Sequence, residues 1–216
     1  NQVNQKRYEN IVSKVTQAYN LMKANGDLVK FDSTEQFVDS FQKYLSITKV
    51  CKSNELVNCW PTVTLQKSSG ETFDISAATT RSSIGLTETG EDENNNVGLI
   101  LNDGTHLIIS YDTSSDDVMM AELSADVQPN ISFVTDVNGT RGPNREGYDV
   151  RGYNGASFSE EVEACDGYID PVNGCTEPSA CHEGDGFVKN RKCYSRDDCD
   201  GYVYNYTCLM SSTCST

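Results

Sequence analysis

The stretch Val97-Gly-Leu-Ile-Leu-Asn-Asp-Gly-Thr-His-Leu-Ile-Ile-Ser-Tyr111 decides the fold. Two apolar runs flank Asp103-Gly104, and an Asp-Gly pair supplies the positive backbone angles that a tight two-residue hairpin needs. The stretch therefore predicts two antiparallel strands, Val97–Asn102 and Thr105–Tyr111, joined by a two-residue turn.

Further short strands are predicted on both sides of this hairpin. Thr62–Gln66 and Thr72–Ile75 are candidate strands joined through Ser69-Gly70. Ile131–Val137 is another, and it leads into Asn138-Gly139. The middle of the chain is therefore expected to be an antiparallel sheet.

Two helices are predicted ahead of the strands. Residues 1–25 repeat apolar side chains every three or four positions, and Asn25-Gly26 is a typical helix stop. Asp32-Ser33-Thr34-Glu35 fits a capping box, so a second helix is expected to begin at Asp32 or Ser33 and to end near Ile47. Helices followed by antiparallel strands predict an α+β domain, to which we assign residues 1–158.

Nine cysteines are present, and seven of them lie between Cys165 and Cys214. Zinc would need close Cys-x2-Cys pairs, which the sequence lacks, and His106 and His182 stand alone. Disulfides in an oxidising compartment explain this density better. The odd total leaves at least one cysteine free, intermolecular or paired outside this sequence.

The other two cysteines, Cys51 and Cys59, lie just ahead of Trp60-Pro61. They are predicted to form a local disulfide, which would stabilise the fold by about 2–3 kcal/mol. At least three further bridges are expected within residues 165–214, with their connectivity left open.

The last segment, residues 159–216, is predicted to be a small disulfide-rich and loop-rich tail of three repeats. Each copy reads Asp-Gly-aromatic-β-branched and then Cys-x5-Cys, and the copies begin at Asp166, Asp185 and Asp200. The tail cysteines are Cys165, Cys175, Cys181, Cys193, Cys199, Cys208 and Cys214. Each copy is too short to bury a core, so its disulfides must stabilise it.

The aromatic residues of the three repeats either pack on the cystines or form an exposed stripe that binds a partner. They are Tyr168, Phe187 and Tyr202.

The net charge of −15 is concentrated in the middle of the chain. Fifteen acidic residues lie between Glu71 and Asp149, against three arginines. Such a field repels nucleic acid, so no nucleic-acid partner is expected, and it favours solubility or cation binding. The sequence has two histidines and neither a GxSxG nor an HExxH pattern, so no enzymatic activity is expected.

One polar motif carries a family resemblance: Asp136-Val-Asn-Gly-Thr-Arg-Gly-Pro-Asn-Arg-Glu-Gly-Tyr-Asp149. It resembles the Asp-x-Asn-Gly, Gly-Pro-Asn, Gly-x-Asp stretch that closes the globular domain in a subset of type IV pilins and type II secretion pseudopilins. The Asp103-Gly104 hairpin is similar to one in many pilin-like proteins. The resemblance covers about residues 1–155. It implies a long N-terminal amphipathic helix packed on an antiparallel sheet, with the apolar first half of that helix removed from this sequence.

The resemblance also implies a function. A pilin-like protein would be a structural subunit of an extracellular type IV pilus or type II secretion pseudopilus, and the unusual tail suits a minor or tip subunit. It would be anchored in the membrane before assembly and would bind other pilin subunits through the absent apolar segment. The present fragment is therefore expected to be monomeric. The alternative is a secreted adhesin or binding module whose cystine repeats contact a host or surface ligand.

Asp136, Asn138 and Asp149 are candidate ligands for a hard cation. Calcium prefers six to eight oxygens, which side chains and loop carbonyls can supply. The motif is not an EF-hand, because the sixth position from Asp136 is Arg141 where that loop requires glycine. The alternative is that Asp and Asn form Asx turns while Gly and Pro set the backbone. No other cofactor is expected.

Overall fold

The computed structural model describes residues 2–86, 94–113 and 129–159, together with the backbone of short strands between residues 169 and 210. The chain divides into two compact units, Asn1–Ser159 and Glu160–Thr216. In its described part the first unit is α+β, with a long N-terminal helix and an antiparallel sheet.

The first helix, α1, spans Gln2–Ala24. Its apolar stripe is buried, and Val15 and Met22 are fully enclosed. The helix ends where the sequence predicts, because Gly26 adopts a left-handed φ of 74° and its N–H bonds back to the carbonyl of Lys23. Glycine reaches this conformation without the steric cost that a Cβ would impose.

The second helix, α2, spans Thr34–Phe41 and is shorter than the sequence predicts. Its N-cap is Ser33, whose hydroxyl accepts from the N–H of Gln36, while Gln36 Oε1 accepts from the N–H of Asp32. The capping box therefore uses Gln36 and not Glu35. The predicted end near Ile47 was wrong, because the chain tightens into a turn after Phe41 while its apolar residues stay packed on the core.

Seven strands lie in the described part of the first unit. They are β1 Ile47–Cys51, β2 Thr64–Gln66, β3 Thr72–Asp74, β4 Val97–Leu101, β5 His106–Tyr111, β6 Ile131–Asp136 and β7 Val150–Tyr153. Five form an antiparallel sheet in the order β1-β4-β5-β6-β7, and β2 pairs with β3 in a separate hairpin. Each predicted strand is present within about two residues of its expected bounds.

The turn between β4 and β5 has three residues, so the two-residue turn predicted for Asp103-Gly104 was wrong. Leu101 and Thr105 are hydrogen-bonded across it, and the N–H of Gly104 bonds to the carbonyl of Leu101. Only the glycine takes a positive φ, 81°, while Asp103 Oδ1 accepts from the N–H of Thr105. An Asp-Gly pair fits this longer turn as well as the tight one, because both need glycine in the left-handed region.

The sheet is covered on both faces. Leu107 and Ile109 of β5 face the core formed with α1 and α2, where Phe37 stacks between Phe41 and Tyr111 at centroid distances of 4.9 Å. Ile108 faces the opposite side, where irregular segments cover the sheet. The covering residues there are Leu56, Trp60, Leu65, Ile75, Ile84, Ala156 and Phe158. Burial on both faces explains why the central strands read as nearly continuous apolar runs.

The predicted disulfide Cys51–Cys59 is present, with the two Cα atoms 6.0 Å apart. It packs on β4 at Gly98, where an added Cβ would lie 2.8 Å from Cys59 Cβ. The bridge thus fixes the segment after β1 against the sheet, and β4 needs a glycine at the contact.

The second unit contains three two-stranded hairpins among its described residues. Their strands are β8 Ile169–Asp170, β9 Gly174–Cys175, β10 Phe187–Lys189, β11 Lys192–Tyr194, β12 Gly201–Tyr204 and β13 Thr207–Met210. The expected packing of Tyr168, Phe187 and Tyr202 concerns side chains that lie outside the described part of the chain.

Candidate functional site

The candidate site is the loop that joins β6 to β7, which we call the 136–149 loop. It begins with an Asx turn, in which Asp136 Oδ1 accepts from the N–H groups of Asn138, at 3.0 Å, and Gly139, at 2.8 Å. A short 3₁₀ turn, Gly139–Arg141, follows. The Asx turn that the alternative interpretation of this motif predicts is therefore present at Asp136.

The second half of the loop is organised by Asp149. Its two carboxylate oxygens accept from the N–H of Asn144, at 2.8 Å, and of Arg145, at 2.6 Å. Asn144 has a left-handed φ of 53° and follows a cis Gly142-Pro143 peptide bond. Its side-chain amide, oriented to satisfy its neighbours, donates to Asp136 Oδ2 at 3.1 Å. Asn144 therefore connects the two aspartates, which lie at opposite ends of the loop in sequence.

Both aspartates are buried, and their environment affects the charge of Asp136. The pKa of Asp136 is raised to about 6, mainly by burial and also by the nearby Asp149 carboxylate, while the N–H bonds from Asn138 and Gly139 act in the opposite direction. A buried carboxylate beside a second one is costly to ionise, because each charge loses water and repels the other.

The loop contains groups that could hold a cation. Asn138 Nδ2 donates to the carbonyl of Gly142 at 3.0 Å, whereas the buried Asn138 Oδ1 has no partner within the described residues. The carboxylates of Asp136 and Asp149 and this amide oxygen belong to the three ligand residues predicted from sequence. Across the described ranges, however, no three side chains of His, Cys, Asp or Glu gather as a metal site. Calcium binding stays a prediction.

Glu146 belongs to the same loop but has a different function. Its Oε1 accepts from Ser157 Oγ at 2.6 Å and from the N–H of Phe158 at 2.7 Å, and its Oε2 accepts from Ser159 Oγ. Phe158 is buried against Trp60 and Phe73. Glu146 thus fixes the last residues of the first unit. No local sequence pattern signals this contact, because Glu146 and its partners lie 11 to 13 positions apart.

The loop is attached to two other parts of the first unit. Its backbone pairs with β2, because the N–H of Gln66 bonds to the carbonyl of Asn144 and the N–H of Glu146 bonds to the carbonyl of Gln66, both at 2.8 Å. On α1, Asn4 donates to the carbonyl of Tyr148, at 3.3 Å, and Tyr8 donates to the carbonyl of Gly152 in β7, at 2.7 Å. The beginning of the long helix is therefore bound directly to this loop and to the edge strand that follows it.

Comparisons with protein-family models, with curated proteins and with solved structures found no match. The family resemblance therefore rests on the motif and on the order of the elements. None of the helices in the described residues is long and apolar enough to cross a membrane.

Among the described residues, His106 was also considered from sequence, and it lies outside the 136–149 loop. His106 lies in β5 with Nδ1 2.9 Å from the carbonyl oxygen of Cys59, a contact that fixes the disulfide loop on the sheet. His182 and the side chains of the tail cysteines lie outside the described part of the chain.

Proposed function

We propose that this chain is a structural subunit of an extracellular type IV pilus or type II secretion pseudopilus. The observation that carries the proposal is the 136–149 loop. Its Asp-x-Asn-Gly, Gly-Pro-Asn and Gly-x-Asp elements bond to one another through Asp136, Asn144 and Asp149. The loop leads into the edge strand β7, and the resembling stretch closes the globular domain in a subset of pilin-like proteins.

The contacts of α1 support the same proposal. One face of this helix of 23 residues packs on the sheet, and its first turns are bound to the 136–149 loop through Asn4 and Tyr8. In the proposed subunit an apolar segment upstream of Gln2 would continue the helix. That segment would anchor the protein in the membrane before assembly and contact other subunits in the fibre.

The coding sequence upstream of residue 1 tests the proposal directly. We expect a short basic leader, then a Phe-Thr-Leu-x-Glu-like sequence, then about twenty apolar residues, enough for a helix to span a bilayer. An ordinary cleavable secretion signal joined directly to Asn1 would contradict the proposal. Immunogold labelling of surface fibres with antibody against residues 1–159 supplies an independent test.

The second candidate is a secreted adhesin whose tail contacts a surface ligand. The observation that favours it is the threefold repetition of one hairpin in the second unit, since a repeated module presents the same group several times. Deletion of residues 160–216 separates the two roles. Cells that keep their fibres but no longer adhere identify the tail as the adhesive part, and loss of the fibres identifies it as a structural support.

A further inference from the structure

A groove of about 620 Å³ runs beside α1, between this helix and the segment that joins α2 to β1. The helix residues that line it recur at spacings of three and four positions, so they form one stripe along one side of the helix. They are Asn10, Ser13, Lys14, Gln17, Ala18 and Leu21. The opposite wall consists of Tyr44, Leu45 and Ser46, with Asn102 at the end of β4. A groove of this size is large enough for a small-molecule ligand.

Both walls of the groove are fixed by the fold. Ala18 and Leu45 are buried in the core between the helices and the sheet, and the N–H of Leu45 bonds to the carbonyl of Phe41. The N–H of Asn102 bonds to the carbonyl of Ser46 at 3.0 Å, which holds the end of β4 against the opposite wall. The groove therefore exists before any ligand binds, and a ligand does not have to order it.

The groove has polar side chains whose hydrogen-bonding groups are available to a ligand. Within the part of the chain that the structure describes, the side chains of Asn10, Ser46 and Asn102 make no hydrogen bond. Gln17 donates to Ser13 Oγ through Nε2, at 3.0 Å, and its Oε1 has no partner among the same residues. Amide and hydroxyl groups both donate and accept hydrogen bonds. The groove can therefore bind a ligand that carries donors and acceptors together.

The groove is nearly neutral, although the chain carries a net charge of −15. Of the described residues that line the groove, Lys14 alone is charged, and its Nζ is paired with Asp103 Oδ2. A charged ligand would lose water on binding here without gaining an opposite charge. The lining therefore favours an uncharged polar ligand.

Apolar surface lies between the polar groups of the groove. Leu21 is 53% exposed, and the ring of Tyr44 is half-buried while its hydroxyl donates to Asp27 Oδ2 at 2.5 Å. A saccharide has the matching structure, because its hydroxyls both donate and accept while the C–H groups of its rings form apolar faces. A peptide fits less well, because peptides dock along a strand edge or place apolar side chains in an apolar groove, and the helix stripe is mostly polar.

We propose that the groove beside α1 binds a short uncharged oligosaccharide. The side-chain amides of Asn10, Gln17 and Asn102 bond to its hydroxyls, and Leu21 packs against the face of one sugar ring. The binding site belongs to the first unit and needs neither the tail nor assembly into a fibre. It therefore goes beyond both functions proposed above.

Nuclear magnetic resonance of the isotope-labelled full chain tests the proposal. The protein is titrated to millimolar concentrations of four uncharged trisaccharides, namely maltotriose, cellotriose, xylotriose and triacetylchitotriose. At least one of them should shift the side-chain amide signals of Asn10, Gln17 and Asn102 with a common saturable Kd. The amide signal of Asn20, which lies on α1 outside the groove, should stay unchanged. The proposal is overturned if none of the four trisaccharides shifts the groove signals, or if the shifts fall elsewhere.

Variants locate the binding site. Gln17→Ala and Asn102→Ala should each weaken binding about fivefold to tenfold, because each removes a hydrogen bond to the ligand. Asn20→Ala is the matched control and should keep the wild-type Kd. All three side chains are exposed, so the variants should fold, and thermal unfolding checks this. An unchanged Kd in both groove variants would overturn the assignment. Equally tight binding of trigalacturonic acid, or of an uncharged peptide of Gly, Ser and Asn, would show that the groove does not select uncharged saccharides.

Discussion

Asp136 and Asp149 each accept two backbone N–H bonds, but the two carboxylates distribute these bonds differently over their oxygens. Asp136 accepts both bonds on one oxygen, and its other oxygen faces the side-chain amide of Asn144. Asp149 has a backbone donor on each of its two oxygens. Asp136 thus has backbone donors on one oxygen only, and its pKa is raised to about 6, mainly by burial.

The raised pKa of Asp136 predicts a pH dependence for the metal-free protein. The folded chain binds this proton more tightly than the unfolded chain, because the folded pKa is about 6 and the ordinary value is 3.8. Ionising Asp136 in the folded protein costs free energy. This cost is fully present above about pH 6 and is absent below about pH 4. In a chelating buffer, lowering the pH from about 7 to about 4 should raise the unfolding free energy of wild type relative to Asp136→Asn by up to about 3 kcal/mol. Urea melts at both pH values measure this difference, and parallel pH profiles would contradict it.

Calcium should stabilise the protein if Asp136, Asn138 and Asp149 bind it. Crowded carboxylates repel one another, and a divalent cation relieves that repulsion. At a hundred times its dissociation constant, a ligand adds about 2.7 kcal/mol, which corresponds to a rise of roughly 5–10 °C in Tm. Asp136→Ala should lose the response. Glu146→Gln is the matched control and should keep it, because Glu146 bonds to residues 157–159. Equal melting of wild type in calcium and in chelator would show that the loop is only a turn.

At the scale of elements, the sequence predicted the strands better than the turns. Apolar runs identify β4, β5 and β6 because burial on both faces requires them. They do not reveal where α2 ends, since Leu45 continues the apolar pattern beyond the helix and is buried in a turn. They also do not distinguish a two-residue turn from a three-residue turn at Gly104.

The candidate site shows the same limit. Asp136, Asn138 and Asp149 could be named from the motif, because Asp, Asn and Gly at those positions are typical of turns and oxygen ligands. The separate role of Glu146 could not be predicted. It depends on the end of the first unit returning to the loop, a contact between residues 11 to 13 positions apart that no local pattern encodes.

Strand β7 depends on Gly152. A Cβ at this position would lie 1.6 Å from the carbonyl oxygen of Ala156, so Gly152→Ala must displace the segment that follows the strand. We expect a loss of about 3 kcal/mol or more in unfolding free energy, measured by urea denaturation. Gly70→Ala is the control. It has no atom within 4 Å of the added Cβ and should cost about 1–2 kcal/mol for its φ of 95° alone. Similar losses in the two variants would show that the contact with Ala156 is easily relieved.

At the scale of the whole molecule, the chain consists of two units, and we expect them to be stabilised in different ways. The first unit buries a large core on both faces of its sheet. The described residues of the second form short hairpins, and this unit carries seven of the nine cysteines. We therefore expect reducing agent to affect the second unit more than the first.

A pair of truncations tests whether the first unit is independent. Residues 1–159 should fold alone, because this fragment keeps both cores and the Glu146 contacts. Residues 1–156 lose Phe158, which is 3% exposed, and the donors to Glu146, so this fragment should be less stable by about 3 kcal/mol or more. Thermal unfolding followed by circular dichroism compares the two. Equal stability would mean that residues 157–159 contribute nothing to the first unit.

The attachment of residues 157–159 has a mechanical consequence. A pulling force applied through the tail enters the first unit at Ser159, and it loads the contacts of Glu146 and Phe158 before it loads the sheet. The force next loads the hydrogen bond from the N–H of Ser157 to the carbonyl of Ile84, and after it strand β7. These last residues can peel away one contact at a time while the five-stranded sheet stays intact. Tension on the tail would therefore first release these last few residues, and the molecule would lengthen by their extended length before any strand leaves the sheet.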